Sequence, residues 1–340
     1  MEPVDFLNAL VLLSNYVLVP ALSYGSQLAL GALGVTLIFG ILRFANFAHG
    51  DLMAFGTMIT ILLTWWLQSL GVSLGPLPTA LLALPVAIAV TAVLSILIDK
   101  SVYAFYRRQK SPPVIFVIAS VGVMFMLNAI VRFVIGPDDQ RFADGEKFLI
   151  KAGEFKQLTG LDEGLALRSS QVLTIVITAL VLLALFRFLQ KSRTGKAMRA
   201  FADNEDLALL SGINPDRIVM ISWIIAAALA TTAGVLYGLD KSFKPFTYFQ
   251  LLLPVFAAAI VGGIGHPVGA VVGGYIVAFS EVMLTYVYKK FLIYILPPTL
   301  APDGLAQLLS TDYKFAVSFI ILVLVLLVRP TGLFRGKVVS

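Results

Sequence analysis

Side chains able to hold a proton, contact a polar solute or grip a neighbouring helix are concentrated in one stretch, Leu42 to Asp51, which reads LRFANFAHGD. At helical spacing Asn46, His49 and Gly50 share a face, with Asp51 beside them. Histidine and aspartate are costly in lipid, so His49 and Asp51 are expected to face protein or a water-filled cavity. Three chemistries fit this stretch: a hydrogen-bond network that pins a hairpin, contact with a solute, and a proton relay. Glu281 is a further carboxylate inside an otherwise apolar run, with no role that its neighbours suggest. A second concentration is Val261-Gly-Gly-Ile-Gly-His-Pro267, where Gly262, Gly263 and Gly265 allow a tight turn bordering a cavity. Gly265, Gly269 and Gly273, and separately Gly234 and Gly238, also have the spacing at which helix backbones approach closely. Packing within the chain and the lining of a path are both compatible with those glycines.

Catalytic patterns are missing. The chain has no cysteine, so thiol catalysis, thiolate metal sites and disulfides are excluded. Its two histidines, His49 and His266, are too far apart in sequence to suggest a metal site, and no metal or cofactor is expected on this chain. Thr194-Gly-Lys196 is the nearest approach to a phosphate-binding loop. There, however, Gln190 stands where the first glycine belongs and Ala197 where Ser or Thr must follow the lysine. The chain is therefore not expected to be an enzyme, and any ATP-driven step would fall to another chain.

Composition sets the class. Of 340 residues, 59% are hydrophobic and 13% charged, against roughly 45–50% and 25% in soluble domains. About twenty apolar residues span a bilayer. Candidate spans fall near 22–42, 47–68, 78–98, 114–135, 171–189, 218–238, 252–264, 268–288 and 314–329. The expected fold is an all-α polytopic membrane protein of about eight to ten transmembrane helices, a single transmembrane domain over 1–340. The segment 252–264 is short for a crossing, which predicts a half-helix or re-entrant segment near 252–267. Residues 8–22 are interrupted by Pro20 and fit a partial span, an interfacial helix or a tilted full span.

Lysine and arginine gather in the link 99–113 (Lys100, Arg107, Arg108, Lys110), in the central stretch (Arg187, Lys191, Arg193, Lys196, Arg199, Arg217) and in the tail (Arg329, Arg335, Lys337). An alternating path puts all three on one side, expected to be the cytoplasm, together with the C-terminus. The +6 charge then reports topology, and no nucleic-acid partner is expected. The opposite loops, 136–170 foremost, mix both signs (Asp138, Asp139, Arg141, Asp144, Glu146, Lys147) and fit either a solvated loop or an external docking surface.

The polar stretch 193–218 must lie between two spans. Thr194 is an acceptable N-cap, Lys196 to Ser211 contains no glycine or proline, and Gly212 can take the left-handed conformation that ends a helix. Asn214 and Pro215 look like the cap and first residue of the next helix. At 3.6-residue periodicity Ala197, Met198, Phe201, Ala202, Ala208 and Leu209 share one side, with Glu205 inside that apolar sector; Lys196, Arg199, Asp203 and Asp206 take the other. A connector lying on the bilayer and a helix that inserts into a partner both follow from this pattern.

Four blocks now carry a resemblance: Arg43-Phe-Ala-Asn-Phe-Ala-His-Gly-Asp51, the central helix with Gly212-Ile-Asn214, Ala257-Ala-Ala-Ile-Val-Gly-Gly-Ile-Gly265, and Arg329-Pro-Thr-Gly-Leu333. Together the chain resembles the permease subunits of bacterial branched-chain amino-acid ABC importers of the LivH type. The resemblance covers 24–335, leaving 1–23 as a variable N-terminal segment. It implies that the helix near 196–211 is a cytoplasmic coupling helix, with Arg199, Phe201, Ala202, Glu205, Asp206, Ala208 and Gly212 docking on an ATPase. The pattern of such loops places an acid six residues before a glycine; Asp206 and Gly212 keep that spacing, while Leu207 departs from it. The resemblance further implies a bacterial inner-membrane location, a second related permease, two cytoplasmic ATPases that use ATP-Mg, and an extracytoplasmic substrate-binding protein. Asn46, His49, Asp51, Gly262, Gly263 and Gly265 are the candidates for the translocation path or a structural polar network. Related permeases handle urea and short amides, so those solutes are the alternative cargo. An ion-coupled carrier using His49, Asp51 and Glu281, or a non-transporting scaffold, would be the rival classes.

Overall fold

The computed structural model describes residues 3–75, 77–142, 147–296, 302 and 304–334. Asp144, Glu146, Arg335 and Lys337 lie outside the described residues. The chain runs α1 (Pro3–Leu13), α2 (Val19–Leu42), α3 (His49–Ser69), α4 (Ala80–Ile98), α5 (Ala104–Arg108), α6 (Pro113–Ile135), α7 (Ala152–Thr159), α8 (Ser169–Lys191), α9 (Arg193–Asp203), α10 (Glu205–Leu210), α11 (Pro215–Lys241), α12 (Pro245–Gly262), α13 (Pro267–Thr285), α14 (Lys289–Ile295) and α15 (Lys314–Val328). A short antiparallel ribbon, β1 (Phe148–Ile150) with β2 (Leu167–Arg168), sits in the long loop after α6. Among the described residues nine helices are long and apolar enough to cross a membrane. The protein is an all-α multi-pass membrane protein.

Two span boundaries differ from the sequence expectation. Residues 8–22 are neither a separate span nor a surface helix, because Val4–Leu42 is one helical run of 39 residues. A π-turn at Ser14–Leu18 absorbs Pro20, which stands in the first turn of α2 where its missing N–H matters least. At 1.5 Å per residue the run is about 58 Å long, so its first part extends past the hydrocarbon. The extension is fixed there: Asn8 Oδ1 accepts from Glu163 N at 3.1 Å and Asn15 Oδ1 from Ala166 N at 3.2 Å. The predicted half-helix at 252–264 is also corrected. Pro245 to Leu251 belong to the same helix, so α12 has 18 residues, about 27 Å, and is one of the nine.

The centre of the molecule is α2, against which α11 and α13 pack along much of their length. Glycine makes that proximity possible at Gly274, where a Cβ would run into the backbone of Ala29. Glu281 joins α13 to α15 by accepting from the Ser318 hydroxyl. Towards the rim, α8 and α15 expose large apolar side chains such as Leu180, Leu183, Leu324 and Leu327, the composition required of a lipid-facing surface.

Candidate functional site

The central stretch is an elbow, not one helix. Its N-cap is Ser192, two residues before the expected Thr194: Ser192 Oγ accepts from Gly195 N at 2.8 Å. Gly195 is required at this corner, since a Cβ there would meet the Phe188 carbonyl and Leu189 Cα. The expected continuous helix over 196–211 breaks at Asn204, whose backbone is extended (φ −154°, ψ 109°) and whose Oδ1 accepts from Leu207 N at 3.0 Å. Asn204 followed by Glu205 and Asp206 is an N-cap signature with acids in the first turn, a signal present in the sequence. The far end follows expectation. Gly212 is left-handed (φ 80°), and Asn214 Oδ1 caps α11 by accepting from Arg217 N at 3.1 Å, with Pro215 at its first position.

The elbow sorts the coupling candidates by direction. Phe201 and Ala208 are buried, 4% and 3% exposed, and join the core with Met198. They hold the element to the bundle, because the bend at Asn204 turns each of them inward. Glu205 does not lie in an apolar sector; it is exposed beside Asp206, and Arg199 and Gly212 are exposed as well. Between the acids and the end of α10 stand Leu207, Leu209 and Leu210, all exposed, with Leu210 at 85%. An apolar patch flanked by carboxylates is what α10 presents outward.

A side chain from the Leu42–Asp51 stretch anchors this elbow. Arg43 ends α2 in a left-handed conformation (φ 58°), an uncommon state for a residue with a side chain. Its guanidinium donates to the Ala202 carbonyl at 2.5 Å, in the last turn of α9. A cation at a helix C-terminus meets the negative end of the helix dipole. The link spans 159 positions and nothing in the spacing announces it.

The other residues of that stretch do not form one site. Asn46 lies in the non-helical turn before α3, so it does not share a helical face with His49 and Gly50. Its Oδ1 accepts from Ala48 N at 3.1 Å and lies 3.4 Å from the Tyr103 hydroxyl. His49 packs against α2, where Gly34 leaves it room. Asp51 turns to α6 and accepts from Asn128 Nδ2 at 2.8 Å. All three are buried, and among the described residues no hydrogen bond joins any two of them. They tie one turn to α2, to α6 and to Tyr103, which directly precedes α5.

The glycine-rich turn divides similarly. Gly262 and Gly263 are buried against Gly269 and the tail Arg329–Phe334: a Cβ on Gly262 would meet the Gly269 carbonyl, and one on Gly263 the Phe334 carbonyl. Leu333 N donates to Val261 O at 2.9 Å and Phe334 N to Gly262 O at 3.1 Å. At these two glycines backbones approach closely. Gly265 differs: it is exposed and lines a cleft of about 450 Å³ with Gly40 of α2 and Lys196, Arg199 and Ala202 of α9. The elbow, the end of α2 and the α12–α13 turn thus meet in one place.

Known proteins match this arrangement over nearly its whole length. The model of a family described as branched-chain amino acid transport system / permease component matches residues 17–326. The high-affinity branched-chain amino acid transport permease LivH of Escherichia coli K12 is 31% identical over 310 residues, covering 91% of each chain. BraD of Pseudomonas aeruginosa, which carries the corresponding description, is 31% identical over 318 residues, 93% of this chain and 94% of that one. A protein of Methanocaldococcus jannaschii described as a probable permease of the same kind is 27% identical over 323 residues.

Proposed function

Because the chain belongs to the branched-chain amino-acid transport permease family, we propose that it is the membrane subunit of an ATP-driven importer for branched-chain and other hydrophobic amino acids. The observation that carries the mechanism is the elbow: an exposed apolar and acidic face on α10, with α9 latched to α2 through Arg43 and Ala202. A cytoplasmic ATPase dimer grips Leu207, Leu209 and Leu210, with Glu205, Asp206, Arg199 and Gly212 around them. Closure of that dimer on ATP-Mg displaces α10, and α9 passes the displacement to α2 and, across the cleft, to Gly265. By linkage this drives transport only if the closed ATPase dimer binds one permease conformation better than the other. A second permease subunit completes the path, and an extracytoplasmic binding protein delivers solute on the side of α7 and α14. Location is the inner membrane, with the elbow and C-terminus cytoplasmic.

Reconstitution tests this directly. Proteoliposomes holding the chain with its ATPases and permease partner are expected to accumulate labelled leucine only with ATP and loaded binding protein. Uptake by this chain alone, without ATP, would overturn the proposal in favour of an ion-coupled carrier.

A further inference from the structure

Two recesses flank α11 on adjoining faces, and α4 contributes to both. The first, about 480 Å³, opens between the end of α4 and the start of α11, at the edge of the membrane bordered by the elbow. Lys100, Arg107, Arg108 and Arg217 line it, against the acids Asp99 and Asp216. Asp99 is already neutralised: Arg107 donates to both its oxygens at 3.0 Å, and Trp223 Nε1 donates to Oδ1 at 2.9 Å. A π-turn at Asp99–Tyr103 sets this up by turning Asp99 inward and Lys100 outward, and the Tyr103 ring stacks on Trp223 at 5.4 Å. Among the described residues Lys100, Arg108 and Arg217 enter no ion pair. The recess therefore keeps an excess of positive charge above a rigid aromatic floor.

The second recess, about 570 Å³, is a groove between α8 and α11 touched by Ile88 of α4. Val181, Leu185, Phe188, Ile224 and Ala228 line it, and threonines are its one polar contribution. On α11 the two recesses interleave: Met220 and Trp223 belong to the first, Ile221, Ile224 and Ile225 to the second. From Ile221 to Thr232 the groove follows α11 for about 17 Å. Its depth lies within membrane-spanning length, where the surrounding medium is acyl chain.

We propose that these recesses bind one anionic glycerophospholipid, its phosphate held by Lys100, Arg108 and Arg217 and an acyl chain laid along the α8–α11 groove. A basic recess at the membrane edge selects anionic headgroups, and an apolar groove on the adjoining face of α11, one residue away at Met220/Ile221 and Trp223/Ile224, argues against a free anion as the natural occupant. Scattered positive residues that only set topology need neither the recess nor the groove. The site adjoins the start of α11, directly after the elbow, so the bound lipid braces the element that α10 moves against.

Native mass spectrometry of the full-length protein with its co-purifying subunits tests the site. Phosphatidylglycerol is expected to stay bound at activation energies that strip phosphatidylcholine. Lys100→Glu with Arg217→Glu should cut retained phosphatidylglycerol about tenfold or more. Lys151→Glu with Lys156→Glu, at the cap and in the body of α7, should leave it unchanged. Filling the groove with Ala184→Trp and Ala228→Phe should also lower lipid retention. Equal retention of the two lipids, or retention untouched by the charge reversals, would overturn the proposal. So would inorganic phosphate displacing the lipid at equal concentration, since that marks a phosphate site. If the glutamate pair aggregates, Lys100→Gln with Arg217→Gln gives the same test with the charge removed.

Discussion

α9 and α10 are neighbours separated by a single residue, yet they divide burial unequally. α9 buries Gly195, Met198 and Phe201 and is held at its end by Arg43, whereas α10 buries Ala208 alone and exposes three leucines and two acids. The lever proposed for this elbow needs both properties, and one straight amphipathic helix supplies them poorly. Its apolar face would have to serve the bundle and the partner at once. The kink at Asn204 separates the tasks: α9 is gripped from within and α10 is offered outward.

The comparison breaks most visibly on the α9 side. Phe201→Ala empties a buried site and should cost about 3–5 kcal/mol, read as a fall in Tm of the purified protein. An unchanged Tm would mean that α9 is not seated as described. Arg43→Ala comes next. It removes a charge-assisted hydrogen bond and leaves the Ala202 carbonyl without that donor, an effect of about 1.5–3 kcal/mol. The sharper readout is functional. ATPase subunits should still co-purify, while substrate-stimulated ATP hydrolysis and uptake become uncoupled. Retention of full coupling would remove Arg43 from the transmission route.

These two residues also mark what the sequence discloses and what it hides. The long apolar runs disclose the spans, because nothing but a membrane accommodates so many of them. Gly212, Asn214 and Pro215 disclose the end of the elbow, because cap chemistry is local. Asn204 was equally local, but an uninterrupted run without glycine or proline outweighed its cap signature. The start of α12 is obscured by Tyr248 and Gln250, polar enough to hide seven helical residues. Three features depend on contacts far apart in the chain and leave no periodic trace: the Arg43–Ala202 link, the tail Arg329–Phe334 laid on the glycine turn, and the divergence of Asn46, His49 and Asp51. For the candidate site, composition identified the element, while the direction of each side chain came from the fold.

On the α10 side smaller perturbations discriminate better. Asn204→Ala removes the cap of α10 at about 1 kcal/mol, and Asn204→Asp, which can cap as well, should restore it. Weaker ATPase retention in the alanine variant and recovery in the aspartate variant would tie the elbow's shape to docking. Equal behaviour of the two would detach shape from binding.

Leu210→Ala carries the least stability change and the most specific consequence. Leu210 is 85% exposed, so its truncation leaves no cavity, and the effect on Tm should stay within about 0.5 kcal/mol. A truncated interface anchor, by contrast, costs about 2 kcal/mol or more where it sits at the centre of a contact. The two quantities therefore part company at this residue: thermal stability holds while co-purification of the ATPase falls by roughly thirtyfold. Phe201→Ala is expected to do the reverse in kind, lowering stability first and docking as a consequence. Were Leu210→Ala to lower Tm and leave ATPase retention intact, the outward half of the elbow would be part of the bundle, and the division between α9 and α10 would fail.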